Sequence, residues 1–199
     1  MRADIEAIEA PEVRLQGREG PFKLLVFGGS LGAQVLNETV PKALSFFDPE
    51  KRPTVVHQCG ARWVDSVAAR YKELGVKAQV VGFIDDMASA YRDSDLVICR
   101  AGATSVAELC AAGAASILVP LVVGTTSHGN ARYMQKNGAA IMVEQPQFTP
   151  EHLFGTLMTL KREKILDMAS HARHLCRPHA AQAVADMIEH VSDLKERPY

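Results

Sequence analysis

The sequence predicts an α/β fold: a Rossmann-like, doubly wound parallel sheet of about six strands, followed by a helical C-terminal tail. Three observations predict it. Short apolar runs of strand length alternate with longer segments whose apolar residues recur at helical spacing. The runs are continuously apolar, as in strands buried on both faces. Glycines and small polar residues punctuate the junctions between runs. Such alternation implies right-handed crossovers and helices on both faces of the sheet. Ligands in these folds sit at the carboxyl ends of the strands, near a topological switch point.

The elements follow in order. Residues 1–20 are polar and broken by proline and glycine, and read as a linker or arm ahead of a single domain spanning 21–199. FKLLVFG (Phe22–Gly28) is the first strand. GAQVLNETVPKALSFF is the first helix, with Pro41 expected to kink or restart it. TVVHQCG (Thr54–Gly60) is the second strand, and RWVDSVAARYKEL is a helix ended by Gly75. AQVVGF (Ala78–Phe83) is the third strand, and DDMASAYRDS a short helix that Asp85-Asp86 caps and charges. DLVICR (Asp95–Arg100) is the fourth strand, followed by the helix SVAELCAAG, closed by Gly113. ASILVPL is the fifth strand; TTSHGNARYM begins as a polar loop, and ARYMQKNG is a helix closed by Gly138. AAIMVE is a shorter sixth strand. Helices then cover TPEHLFGTLMTLKR, with Thr149 as cap and Pro150 at the first helical position, EKILDMASHARHL, and a last segment from about Ala180 to Leu194.

Composition narrows the function. The chain has 199 residues, 47% hydrophobic and 23% charged, with net charge −1. That is an ordinary globular balance with no electrostatic case for nucleic acid. No apolar run approaches a membrane span, and the N-terminus lacks a signal-peptide core, which points to the cytoplasm. The four cysteines, Cys59, Cys99, Cys110 and Cys176, form no Cys-x-x-Cys pair and read as reduced thiols. His171, His174 and His179 lie in a basic stretch without a carboxylate framework and read as a solvated helix end rather than a metal site.

Two loops carry the chemistry. GGSLGA follows the first strand and opens the first helix. Glycines there let a ligand approach free backbone N–H groups at the positive end of a helix, and Ser30 offers a hydroxyl. The spacing is neither G-x-G-x-x-G nor a P-loop. From this loop alone, a phosphate cradle and a tight structural turn are equal readings. RAGATSVAELCAAG, after the fourth strand, repeats the device with Thr104 and Ser105. Glu108 lies one turn into its helix, suited to a ribose diol or, more simply, to the helix dipole. His128 is a general base, a sugar hydrogen-bonder or an ordinary loop histidine.

Taken together, GGSLGAQVLN, HQCG, FIDDMASAY, ICRAGATSVAELCAAG and NARYMQKNGAA, in this order, resemble the C-terminal half of the MurG family, bacterial UDP-N-acetylglucosamine transferases of glycosyltransferase family 28. The likeness runs from about Arg2 to the final helix. It implies one half of a GT-B fold, in which two Rossmann-like domains face each other across a cleft. In such enzymes the C-terminal domain binds UDP-N-acetylglucosamine. The N-terminal domain holds the acceptor, undecaprenyl-diphospho-muramoylpentapeptide, and the membrane-association patch. Transfer makes lipid II for peptidoglycan, inverts the anomeric centre and uses no metal or other cofactor.

By position, the resemblance gives Arg2 to the donor diphosphate and Ser30, flanked by Gly29 and Gly32, to a phosphate contact. The Ile84 backbone reads the uracil. Ala103, Thr104, Ser105, Val106 and Ala107 surround the nucleotide, and Glu108 binds the ribose. Two departures stand out. The first is an expectation that the N-terminal acceptor domain is absent, which leaves the catalytic residues of that domain without a counterpart in these 199 residues. The family's glutamine before NA is also missing from a loop that reads SHGNA, leaving His128 as the candidate sugar reader. The expectation is a donor-binding half that needs a separate N-terminal domain or chain for turnover, with membrane contact, at the inner face of the plasma membrane, only through that partner. The alternatives are a non-catalytic nucleotide-sugar module or decayed fragment, and an unrelated dinucleotide enzyme, against which the absent G-x-G-x-x-G counts.

Overall fold

Six parallel strands form one sheet in the order β3-β2-β1-β4-β5-β6. The computed structural model describes residues 2–123 and 125–176. The strands are β1 (Lys23–Phe27), β2 (Thr54–Gln58), β3 (Gln79–Val81), β4 (Leu96–Cys99), β5 (Ser116–Leu118) and β6 (Ala140–Met142). The described α-helices are α1 (Ala3–Glu6), α2 (Pro11–Arg14), α3 (Gln34–Ser45), α4 (Val64–Glu73), α5 (Met87–Asp93), α6 (Ala103–Ala112), α7 (Thr125–Lys136), α8 (Pro150–Thr159) and α9 (Arg162–Leu175). The segment expected as a last helix, from about Ala180 to Leu194, lies outside the described residues, as does His179.

The period of two along each strand sorts the core into two layers. Leu24, Val26, Leu96, Ile98 and Ile117 face one side, where they meet Leu36, Val40 and Leu44 of α3, Val67 of α4 and Leu153 of α8. Leu25, Phe27, Val97, Cys99 and Leu118 face the other, against Tyr91 of α5, Leu109 of α6 and Met134 of α7. Both faces of β1 and β4 are covered, which is why these strands are unbroken apolar runs. From β1 the chain winds outward through β2 and β3, then returns to β4 and winds the other way. The switch point therefore lies between β1 and β4.

Three local expectations are corrected. First, residues 2–20 are not a linker: Ile5 and Ile8 are buried in the second core layer, each worth about 1.5–3 kcal/mol relative to exposure. The Arg14 guanidinium is buried and donates to the carbonyls of Tyr91 (3.4 Å), Ser94 (3.0 Å) and Gly113 (2.7 Å), closing the C-terminal ends of α5 and α6. Burial lowers the Arg14 pKa to about 10. Arg173 of α9 donates to the carbonyls of Ile8 and Ala111, holding the same strap. Second, Pro41 does not restart a helix. Helix α3 is one element from Gln34 to Ser45, with Pro41 buried inside it. Third, α7 begins at Thr125, so SHGNA is the start of a helix rather than a loop.

Several polar side chains singled out in the sequence have local partners. Asp86 caps α5, accepting from the Ser89 amide (3.0 Å) and hydroxyl (2.7 Å), and these bonds lower its pKa. Thr149 caps α8. All four cysteines are free, and burial pushes the Cys110 thiol up to about 12. His171 lies 3.6 Å from Asp167, and His174 Nδ1 is 2.7 Å from the Ser170 carbonyl. Among the described residues, no three His, Cys, Asp or Glu side chains group to hold a metal, and no helix is long and apolar enough to cross a membrane.

Candidate functional site

The glycine-rich turn after β1 is built against its neighbour. Gly32 has φ +76°, and a Cβ on it would lie 1.9 Å from the Cys59 carbonyl oxygen. A side chain there is excluded by packing. Gly28 is equally confined, since its Cβ would lie 2.4 Å from the Ala33 nitrogen. Gly29 differs: its φ is +90°, yet a Cβ would meet nothing within 4 Å. The turn closes with the Gly32 amide donating to the Gly29 carbonyl at 3.0 Å. Ser30 and Leu31 are left exposed. The three glycines thus have different causes, and only Gly29 faces open space.

Two helices start at this edge, on either side of the switch point. The N-cap of α3 is Ala33 and that of α6 is Gly102; neither supplies a side-chain cap. Their first-turn N–H groups and dipoles favour an anion. Between them lies a cleft of about 540 Å³, lined by Gly28, Gly32, Arg100, Gly102, Ser127 and Asn130 among others. Arg100 donates from Nη1 to the Val119 (3.2 Å) and Pro120 (3.2 Å) carbonyls and to Gln145 Oε1 (2.8 Å). This holds a cation at the cleft wall, where desolvation lowers its pKa. Asn130 Nδ2 donates to the Ala101 carbonyl at 3.0 Å, tying α7 to the start of α6. A larger cavity, about 620 Å³, runs along the sheet face past Lys23, Lys77 and Val81 to Phe83 and Ile84. It has no helix N-terminus of the α3 or α6 kind, so the smaller cleft is the better anion site.

Glu108 lies on α6 one turn beyond the cleft edge, with its side chain only 15% exposed. It accepts the Tyr91 hydroxyl at 3.0 Å, and Arg2 Nη2 lies 3.6 Å away. The Tyr91 hydroxyl is buried and its pKa is raised by that burial. Tyr91 stacks edge-on against Phe27, with ring centroids 6.1 Å apart, which links the end of β1 to the carboxylate. A half-exposed Arg2 paired with Glu108 is held loosely, since solvent screens such pairs.

The structure therefore brings most of the sequence-derived residues to one sheet edge. Gly29, Ser30 and Gly32 lie after β1, and Ala103 to Glu108 lie after the adjacent β4. Arg2 joins them through Glu108. Ile84 lies on the loop after β3 and lines the larger cavity. His128 lies on α7 among cleft-lining neighbours: its Nε2 meets Glu144 Oε2 at 2.8 Å, and Thr126, Ser127 and Asn130 of the same helix line the cleft. Because an ionised carboxylate only accepts, His128 Nε2 is the donor in that pair. Sequence reasoning missed Gln58, Tyr91, Arg100, Asn130 and Glu144. Gln58, Tyr91, Arg100 and Asn130 lie inside the motifs HQCG, FIDDMASAY, ICRAGATSVAELCAAG and NARYMQKNGAA, but nothing in those motifs singles them out; Glu144 lies in none of them.

The C-terminal domain model of glycosyltransferase family 28 matches residues 23–191. The chain belongs to glycosyltransferase family 28. This family 28 domain is 52% identical over 194 residues to the UDP-N-acetylglucosamine--N-acetylmuramyl-(pentapeptide) pyrophosphoryl-undecaprenol N-acetylglucosamine transferase of Aromatoleum aromaticum, covering 96% of this chain and 54% of that protein. It is 53% identical over 193 residues to the protein of the same name from Methylibium petroleiphilum, covering 95% and 53%. The crystal structure of Acinetobacter baumannii MurG superposes with a TM-score of 0.83 at 37% identity, over 93% of this chain and 54% of that one. The family 28 domain thus spans about half the length of the curated relatives it matches. The kitacinnamycin glycosyltransferase shares the fold at 22% identity, with a TM-score of 0.63 over 88% of this chain.

Proposed function

We propose that this chain is the donor-binding half of an inverting glycosyltransferase that takes UDP-N-acetylglucosamine and glycosylates undecaprenyl-diphospho-muramoylpentapeptide, the step from lipid I to lipid II. The observation that carries the reading is the meeting of two small-residue turns and two helix N-termini at the β1/β4 switch point, with Glu108 one turn inside the second helix. The helix ends and Arg100 complement a diphosphate, and Ser30 offers a hydroxyl to it. Glu108 accepts from a ribose diol, exchanging or sharing its bond with Tyr91. As UDP departs, the same groups neutralise the charge that develops on the leaving diphosphate, so the chemistry needs no bound metal. His128 and the cleft-lining Ser127 and Asn130 lie on one helix near the end that the sugar would occupy.

Turnover needs a second wall. Leu31, Phe83, Leu121, Val122 and Val123 are all exposed on loops at this one edge, an apolar rim suited to cover by an acceptor-binding domain. Positioning of donor against acceptor supplies much of a transferase's rate, so the isolated chain is expected to bind donor and transfer little. Any membrane contact comes through that partner. The test is calorimetric titration with UDP-N-acetylglucosamine, UDP and NADH. Binding of the first two without the third is expected; binding of NADH alone would overturn the reading in favour of a dinucleotide enzyme. A non-catalytic sugar-nucleotide module is separated by adding an acceptor-binding half and lipid I: transfer favours the enzyme, binding without transfer the module.

A further inference from the structure

Gln58 ends β2, the strand between β1 and β3, and pairs in register with Phe27 on one side and Val81 on the other. The residue is 5% exposed, and its side chain spans the two flanking loops. One amide nitrogen, Nε2, donates to the Gly29 carbonyl at 2.9 Å and to the Gly82 carbonyl at 3.0 Å. A primary amide has two N–H donors, so both are spent. The same β2 end also holds each loop by packing. Gly32 abuts the Cys59 carbonyl, and a Cβ on Gly82 would lie 2.7 Å from the Ala61 Cα. Behind it, Tyr71, His57 and Asn37 form a buried chain of hydrogen bonds. Tyr71 Oη lies 2.7 Å from His57 Nδ1, His57 Nε2 lies 3.0 Å from Asn37 Oδ1, and Asn37 Nδ2 donates to the Cys59 carbonyl at 3.2 Å.

The geometry points to Gln58 as a positioning residue that fixes the distance between the turn carrying Gly29 and Ser30 and the loop carrying Phe83 and Ile84. Resting on the nucleotide reading above, this makes Gln58 a ruler between the phosphate end and the base end of the donor. Each loop would hold its own part of the ligand without Gln58. The bond to both carbonyls lets one molecule satisfy both loops at once, so the two halves of the nucleotide bind cooperatively.

The experiment uses the full chain and its Gln58→Met and Gln58→Glu variants, titrated with UDP, uridine and inorganic pyrophosphate and followed by NMR, with folding checked by thermal melts. For UDP, each variant is expected to lose about tenfold in affinity, while uridine and pyrophosphate change by less than about twofold. In the unaltered chain, pyrophosphate alone is expected to shift the amide resonances of Gly82 and Phe83, across the Gln58 bridge. That readout needs no variant to fold. Equal losses for all three ligands, or none, would overturn the proposal, as would pyrophosphate shifts confined to residues 28–34. Failure of the unaltered chain to bind UDP would overturn the nucleotide reading, and the role of Gln58 with it.

Discussion

Gly32→Ala and Gly29→Ala separate a glycine that packing requires from one that faces open space. Both sit at positive φ, +76° and +90°, where an L side chain costs about 1–2 kcal/mol. At Gly29 that is the whole structural cost, because a Cβ meets nothing within 4 Å. At Gly32 the new Cβ would lie 1.9 Å from the Cys59 oxygen, when real contacts essentially never fall under 3.0 Å. The 59–60 turn must retreat by about an ångström, and the Asn37-to-Cys59 bond, already 3.2 Å long, breaks. Leaving that buried amide unpaired adds about 1–3 kcal/mol. Gly32→Ala is therefore expected to cost about 2–5 kcal/mol in all, a fall of roughly 10 °C in Tm for a domain of this size. Gly29→Ala is expected to lower Tm by only a few degrees while weakening UDP binding. Thermal melts followed by circular dichroism, with UDP titration of each folded variant, provide the comparison. Equal destabilisation by the two substitutions, or a larger effect at Gly29, refutes the assignment of Gly32 to packing.

Further outcomes follow from the same contacts. Glu108→Ala is expected to weaken UDP binding by about 1–3 kcal/mol, read by calorimetry; an unchanged affinity would remove Glu108 from the ribose site. Burial lowers the His57 pKa from 6.5 to about 4, so between those values the unfolded chain takes up a proton that the folded chain refuses. Stability is therefore full above about pH 6.5 and declines as pH falls to about 4, by on the order of 3 kcal/mol. His57→Gln should flatten that limb in urea melts at stepped pH. Arg14→Ala strips donors from the Tyr91, Ser94 and Gly113 carbonyls and is expected to cost about 2–4 kcal/mol, with residues 2–20 becoming the first site of limited proteolysis. Protection equal to that of the unaltered chain would show that the strap does not depend on Arg14.

The order of strands and helices was legible because doubly buried strands and glycine-closed helices are local signals. Val97 and Ile98 need to be apolar on opposite faces, and Gly113 at φ +62° has to end α6. The two anion-favouring turns were legible for the same reason. What escaped depends on tertiary contact. Ile5 and Ile8 lie in a polar stretch too short to show a period, and only the docked core reveals them as buried. Thr125 to His128 carry no apolar face, so the start of α7 read as loop. Tyr91 meets Glu108 across 17 positions, and Gln58 meets Gly29 across 29; neither pairing leaves a mark in the sequence. The cause of each glycine in GGSLGA was also hidden, because a glycine excluded by a neighbour and one open to a ligand look alike in one dimension.

The central claim is that the β1/β4 edge holds the donor diphosphate, with the base reaching only the Phe83–Ile84 end of the larger groove along the sheet face. Backbone amide shift mapping of the isotope-labelled chain during UDP titration tests it most directly. The account predicts shifts concentrated at residues 28–34, 82–86 and 102–108. Shifts clustered instead at Lys23, Thr54 and Lys77, where the groove begins, would contradict it.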